Sequence, residues 1–585
     1  MTALGALAFL FLFNPASFLQ ASSHSAYSGP VPASVTLSLN LPAKGTIVFT
    51  AEQNGHWDLY AAANGRQPGR ITRDVNPVRR VAVSREGMLA FSSKRDGNWE
   101  IYSSALDGSG LKRLTNLAAY DGNPAWSPDG KKIAFESFRA DDLDIWTMDS
   151  DGTNPTNLTA ANPTYDFDAA WSPDGKWIAY TSVQNSYKQI MLISGVGGKP
   201  VNLSNSKVDD EQPAWSPDGK QLAFVSTRDG QRAIYFATID AGAGKLSNVR
   251  RLTFFGWDFA PTFSPDGQSL AFISLRPTRQ TIYVMSLTGG TSIPYALDDQ
   301  ARWVSSLAWT DRSVPNLKSL PDEPPLVVEQ PVRAASDAGH PYEVRGITEI
   351  YLAPSYGNMS SRISTSLLAL RDRVKSESGQ DFIGQMSDMM RQLVYPCSSS
   401  CDILSWHKTG RAFDTLWEFG LASQALLAIV PEPQNGELYW RIYLRAAKQD
   451  GTMGEPIKAY PWDLSDKARA TGKGGTERPI PNGYYVDFTE LAREYGWTRI
   501  PSADDPDFDW HDNFLALEYW HYEKRDGLNW YQAMLEMFSP ADISANFDWA
   551  NLVATRKEDG RYLYVKSVPP PPGAWKWFAV LPPGN

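Results

Sequence analysis

The pentapeptide WSPDG stands at Trp126–Gly130, Trp171–Gly175 and Trp215–Gly219, FSPDG at Phe263–Gly267, and a worn copy, VSREG, at Val83–Gly87. The copies are 43 to 48 residues apart, the period of a four-stranded propeller blade. Ser-Pro-Asp-Gly is a turn, because proline presets φ and glycine accepts a positive one. An apolar strand follows each turn: IAFES from Ile133, IAYTS from Ile178, LAFVS from Leu222, LAFIS from Leu270. A second strand comes next (DIWTM, QIMLI, AIYFA or TIYVM), and a short RLT, NLT or NLS usually closes the unit. One such unit cannot cover both faces of its own sheet, so the units must stack around an axis.

Counting the first apolar strand, with IVFT (47–50) and LAFS (89–92) included, gives six units. IVFT lacks a preceding SPDG turn, and SLAWT (306–310) is a strand of the right type left without a unit. Ser306–Thr310 is therefore expected to complete the blade begun at Ile47, sealing a six-bladed ring over 45–312 with both chain ends. The repeats resemble those of the TolB-type β-propeller throughout this span. The DSDGTN stretch (149–154) has a superficial calcium-loop look, but its place between a strand and a closing NLT reads as a hairpin turn.

Elsewhere the chain reads as ordinary globular protein, with 21% charged and 42% hydrophobic residues. A net charge of −10 without a Lys/Arg cluster argues against a nucleic-acid partner. The apolar run Ala3–Phe13, followed by Ala21 and Ser22, resembles the core of a signal peptide within 1–28 and implies export; it is short for a bilayer span, and no later segment reaches that length. Cys397 and Cys401 are the two cysteines, either a small disulfide loop or two thiols. They have no second Cys/His pair at zinc-ribbon spacing.

The repeat dissolves at Ser313, and the proline-rich stretch 313–344 reads as a semi-extended linker. Helical patterns at Arg362–Glu377 and Asp381–Leu393, then mixed strands and loops, give a separate α+β domain over 345–530, with a C-terminal extension over 531–585. Of six histidines, His407 and His521 stand out: Asp414 follows the first by seven residues, and Glu518 precedes the second by three. Two His and one Asp leave one position open, as a catalytic zinc site requires, and a non-ligating Glu beside it suits water activation. His511 lies in the Asp-rich DDPDFDWHDN and reads as a surface or rim residue. GKGG (472–475) lacks the features of a phosphate loop.

The stretch SWHKTGRAFD (405–414) fits S-x-H-x-x-G-x-A-x-D, and EYWH (518–521) fits E-x-W-H; both resemble the zinc D-Ala-D-Ala carboxypeptidases of the VanY type. The lead-in VDFTELAREYGWTRI (486–500), a helix ending at Gly496, resembles the segment before the second motif. The resemblance implies a zinc-peptidase (D-Ala-D-Ala carboxypeptidase/hedgehog-like) fold with His407, Asp414 and His521 as Zn2+ ligands and Glu518 as general base. It makes Gly410 and Ala412 small residues near the metal, leaves Ser405 bonding within its loop, and makes Arg391 the candidate for polarising the scissile carbonyl. The implied substrate is a peptide or peptidoglycan fragment containing D-alanine, with the propeller holding a protein or glycan partner. A serine-type reading of SWHK and KTG fails, because Lys408 would serve two distant motifs. Two alternatives stay open: a zinc peptidase of other specificity, set by an insertion around 430–485, and a non-enzymatic envelope scaffold whose peptidase-like unit is spent.

Overall fold

A computed structural model describes residues 45–63, 68–73, 77–254, 256–276, 279–288, 295–296, 303–314, 324–336, 338–352, 355–391, 405–416, 426–434, 436–505 and 508–547. The signal-like segment, Cys397 and Cys401 lie outside them.

The N-terminal half contains six four-stranded antiparallel sheets; five follow the chain outward from an innermost strand, and the first takes its innermost strand from the end of the span. Serine–aspartate bonding shapes every SPDG turn. In the second copy Ser172 donates to Asp174 Oδ1 at 2.6 Å, Gly175 N–H returns to Ser172 O at 2.9 Å, and Trp177 N–H reaches Ser172 Oγ at 3.0 Å. The worn VSREG copy keeps the turn without the aspartate, Gly87 N–H bonding Ser84 O at 3.0 Å.

Strand alternation explains the ring. In IAF (133–135), Ile133 and Phe135 pack with Ala90 and Ile101 of the preceding sheet, while Ala134 packs with Ile178 and Tyr180 of the next. The other sheets repeat this, giving one apolar cluster between each adjacent pair, including last and first: Ile273, Ile282 and Val284 meet Ile47, Phe49 and Tyr60. The innermost strand of the first sheet is Trp303–Thr310, paired antiparallel with Thr46–Gln53 from Thr46↔Thr310 to Glu52↔Trp303. The ring therefore closes on strands from both ends of the span, with no exposed sheet edge at the seam.

After the ring, described parts of the proline-rich stretch are pinned to the folded body. Leu326 N–H bonds Asn54 O, Val332 N–H bonds Ser361 Oγ, and Glu329 Oε2 accepts from Thr365 and Ser366 N–H. Glu329 thereby caps helix α1 (Ser364–Ser378), whose own N-cap, Ile363, has no capping side chain. Leu367, Leu370 and Val374 give α1 its buried face, and Gly379 ends it at φ +72°. The expected helix over Asp381–Leu393 does not form among the described residues. Asp381 and Gly384 make a turn, and Met386–Asp388 is a strand paired with Ala412–Thr415, so sheet pairing overrides the local helical pattern.

Two sheets follow. One is three-stranded, Leu427–Gln434, Glu437–Arg445 and Tyr485–Asp487. The other has the order Met386–Asp388, Ala412–Thr415, His521–Glu523, Thr498–Arg499. Between Asp487 and Thr498 lies helix α2 (Phe488–Glu494), N-capped by Asp487 on Glu490 N–H at 2.9 Å. One apolar core running from Ile347 to Tyr522 joins both sheets and both helices. The fold does not stop at 530: Trp530–Leu535 and Pro540–Asn546 are helices, Trp530 Nε1 donates to Ser405 O, and Glu536 accepts from Arg411.

Leu39–Asn546 forms one compact unit, and the α+β part is docked on the ring. Arg79 on the propeller bonds Glu490 and Glu455 (3.1 Å to Glu455) with its guanidinium 5.3 Å from the Trp57 and Trp99 ring centres. Arg493 pairs with Glu52 at 3.0 Å, Lys94 with Glu377, and Lys458 with the fully buried Glu136. Tyr484 and Ala446 enter an apolar cluster with Trp99, Phe138 and Tyr165. At Gly451 the approach is so close that a Cβ would collide with the Ala118 carbonyl. The insertion around 430–485 thus makes docking contacts in its described part, through Lys458, Ala446 and Tyr484.

Trp57 Nε1 donates to Glu494 Oε1 at 3.1 Å in this interface. Burial, reinforced by Glu490, pushes the Glu494 carboxyl up to about 8. The folded state then holds a proton on Glu494 that the unfolded state releases near pH 4.5, so stability falls as pH rises between those values. Glu494→Gln keeps an acceptor for Trp57 and carries no charge. It should flatten this dependence, raising stability relative to the parent above pH 8 and leaving it unchanged below about pH 4. Urea unfolding at both pH values checks this.

Candidate metal centre

The three side chains that the sequence singled out as ligands meet in one place. His407 lies in the 3-10 turn Trp406–Thr409, whose N-cap Ser405 accepts from His407 N–H at 3.2 Å. Ser405 is thereby a cap within its own loop. Gly410 closes the turn at φ +67°; a Cβ there would sit 2.8 Å from Ser360 N, so only glycine fits this close passage. Ala412–Thr415 then carries Asp414, which stands opposite His521 in strand register.

The geometry is that of a small triangle. His407 Nε2 is 3.1 Å from Asp414 Oδ1 and 3.2 Å from His521 Nδ1, and His521 Nδ1 is 2.9 Å from Asp414 Oδ1. All three residues are buried. Ligand atoms ~2.0–2.1 Å from a tetrahedral ion lie ~3.3 Å apart, so the spacing matches a metal-sized centre. The donor chemistry agrees. His407 Nδ1 lies 2.5 Å from Met389 O, a pure acceptor, so it carries the proton and Nε2 turns a lone pair inward. Electron pairs from two imidazoles and a carboxylate then face one another, an arrangement that a cation or a shared proton must bridge.

Electrostatics reflect the same convergence. Burial raises the Asp414 carboxyl, but His407 and His521 outweigh it and hold the group far below the usual carboxylate range. Burial pushes the His521 imidazole down, yet Asp414 and Glu523 lift it to about 10. Glu518 stands outside the triangle, half-buried, in a left-handed backbone conformation at φ +55° that turns the chain toward His521. Burial pushes its carboxyl up to about 7, with Asp414 reinforcing and His521, His407 and Arg391 opposing. It therefore lies within electrostatic reach of all three triangle residues.

Arg391 does not sit on a helix face. Its N–H bonds His407 O at 3.1 Å, and its guanidinium is clamped by Asp388 at 2.5 and 2.6 Å. The sequence reading missed Asp388, which clamps Arg391, and the Met389 carbonyl, which meets His407 Nδ1. Their only signal is nearness to Arg391, and it becomes legible once the segment is a strand. Other sequence candidates stand apart from the triangle. His511 pairs with Asp509 at 2.6 Å and stacks on Trp510. In DSDGTN, Asp149 N–H bonds Thr153 O at 2.8 Å, a hairpin turn.

Comparison with known proteins bears on the ring. Residues 82–212 and 143–312 match the TolB beta propeller domain family. None of the curated proteins matches the chain. Among solved structures, TolB from Acinetobacter baumannii is 24% identical over 45% of this chain and 66% of its own, with a TM-score of 0.39. A putative TolB from Agrobacterium tumefaciens is 21% identical over 46% and 98%, with a TM-score of 0.36. A puromycin-hydrolysing peptidase of Mycobacterium tuberculosis is 16% identical over 43% and 44%, with a TM-score of 0.34. Among the described residues, no helix is long and apolar enough to cross a membrane. The N-terminal part of the chain is a TolB-type β-propeller.

Proposed function

We propose that the chain is an exported zinc-dependent peptidase acting on D-alanine-containing cell-wall peptides, with its active centre at His407, Asp414 and His521. The observation that carries this reading is the triangle itself: three inward electron-pair donors 2.9 to 3.2 Å apart, in a chain whose two motifs resemble those of VanY-type carboxypeptidases. Export rests on the signal-like segment and the TolB-type ring.

The residues present fit a bound Zn2+, which would be held by His407 Nε2, Asp414 Oδ1 and His521 Nδ1. When bound, such an ion supplies Lewis-acid chemistry, lowering the pKa of water and polarising a carbonyl. Glu518 is the base: it takes a proton from the attacking water and returns it to the leaving amine. Burial raises its carboxyl, and beside a held zinc ion that carboxyl would be drawn back toward the ionised form a base needs. Arg391 faces the charge that develops on the carbonyl oxygen, held in place by Asp388. The ring's docked end is occupied by the α+β part through the loops around Trp57, Trp99 and Phe138. The end bearing the SPDG turns is the one we assign to an envelope partner.

The test is digestion of purified peptidoglycan fragments by the whole chain. Release of D-alanine, stopped by a chelator and restored by zinc, is expected. Intact fragments in the presence of zinc would defeat the substrate assignment.

A further inference from the structure

We propose that Glu523 is the positioning residue for the ligand His521, an inference that rests on the metal-centre reading above. His521 and Glu523 occupy alternate positions of one strand, His521–Glu523, and so point to the same face of the sheet. His521 turns Nδ1 toward Asp414 and His407, leaving Nε2 on the far side of the ring. Glu523 Oε2 stands 3.7 Å from that Nε2. The glutamate is 2% exposed. Arg525 secures its other oxygen, with Nε 2.5 Å from Glu523 Oε1, and lies over the Trp406 ring at 5.1 Å, next to the ligand His407.

The arrangement defines which nitrogen of His521 carries the proton. Across 3.7 Å, longer than a hydrogen bond, the carboxylate acts on Nε2 through its charge, favouring hydrogen there and leaving the lone pair on Nδ1, where a cation needs it. The two ligand histidines are thus supported differently. His407 gives its second proton to the neutral Met389 carbonyl. His521 faces an anion, Glu523. A carboxylate behind a ligand imidazole strengthens metal retention, and losing such a partner typically costs about 10- to 100-fold in affinity. Arg525 has a part in this: it holds Glu523 in a fixed orientation and balances its charge in a buried place.

The measurement is zinc affinity of the chelator-stripped full chain, by competition with a chromophoric chelator, for the parent and for Glu523→Gln. Alongside it, the visible spectrum of the Co2+-loaded protein reports ligand geometry directly. Glu523→Gln is expected to bind zinc about 10- to 100-fold more weakly, with altered Co2+ bands and an unchanged fold of the stripped protein by circular dichroism. Equal affinity and an identical Co2+ spectrum in parent and variant would overturn the proposal while leaving the metal centre standing. A folded parent that binds no zinc would overturn the metal-centre reading itself, and this inference with it. Should Glu523→Gln not fold, Glu523→Asp, which draws the carboxylate back by one methylene, replaces it under the same criteria.

Discussion

On the proposed peptidase reading, Glu518→Gln is expected to cut peptide hydrolysis by orders of magnitude while leaving zinc binding intact. The amide occupies nearly the same volume, so the half-buried turn at φ +55° and the neighbouring His521 stay in place. What is lost is the ability to accept a proton. General-base removal of this kind lowers kcat by about 10²–10⁴-fold. The same substitution removes a carboxyl that burial has raised to about 7. In the parent that group must be ionised to act as base, so kcat/KM should climb with pH through its acid limb. Residual activity in the variant should lack that limb. Steady-state kinetics across pH 5 to 9 on a D-alanine-ended peptide, with metal content measured on the same samples, tests both points. Undiminished cleavage by Glu518→Gln would remove Glu518 from the reaction.

The second large effect is structural. Arg79→Ala should destabilise the docked assembly by about 3 kcal/mol, because Glu455 loses the Arg79 guanidinium and Glu490 is left with Arg441 and Arg493, at 3.3 and 3.7 Å. It also removes the guanidinium packed near Trp57 and Trp99. Glu490 belongs to α2, whose other face carries Phe488 against Tyr522, the residue beside His521. Loss of Arg79 should therefore reach the His407–Asp414–His521 triangle through α2. Urea unfolding followed by tryptophan fluorescence should show an early transition in Arg79→Ala that the parent lacks. Adding Glu455→Gln should recover part of the loss, since it removes the carboxylate that Arg79 paired at 3.1 Å. A single transition at the parent midpoint would mean that the ring and the α+β part are held together by other contacts.

Much of the ring was readable because its signals are local and repeated. Ser-Pro-Asp-Gly specifies a turn through four residues, and alternation in IAF or LAF assigns faces through three. The pairing of Ser306–Thr310 with the strand at Ile47 is long-range. It was legible because a repeat with one strand missing at its start and one left over at its end has one economical solution. The triangle was legible for another reason: His407, Asp414 and His521, with Glu518 beside them, sit in two motifs of fixed spacing. The helix expected over Asp381–Leu393 failed because pairing with Ala412–Thr415 is a tertiary event that local pattern does not encode. The docking of the 430–485 insertion was hidden as well. Lys458 and Tyr484 look like surface residues until Glu136 and Phe138 are brought against them. Glu329 as the cap of α1 belongs to the same class: a proline-rich stretch gives no local hint of the helix end it will meet.

The most direct test of the account is a zinc titration of the chelator-stripped full chain, with His407→Ala as the counterpart. One zinc bound per chain by the parent, and none retained by His407→Ala with its fold intact, is the predicted result. A correctly folded parent that takes up no zinc, or a His407→Ala variant that holds it as tightly as the parent, would contradict the claim that these two imidazoles and one carboxylate form a metal centre.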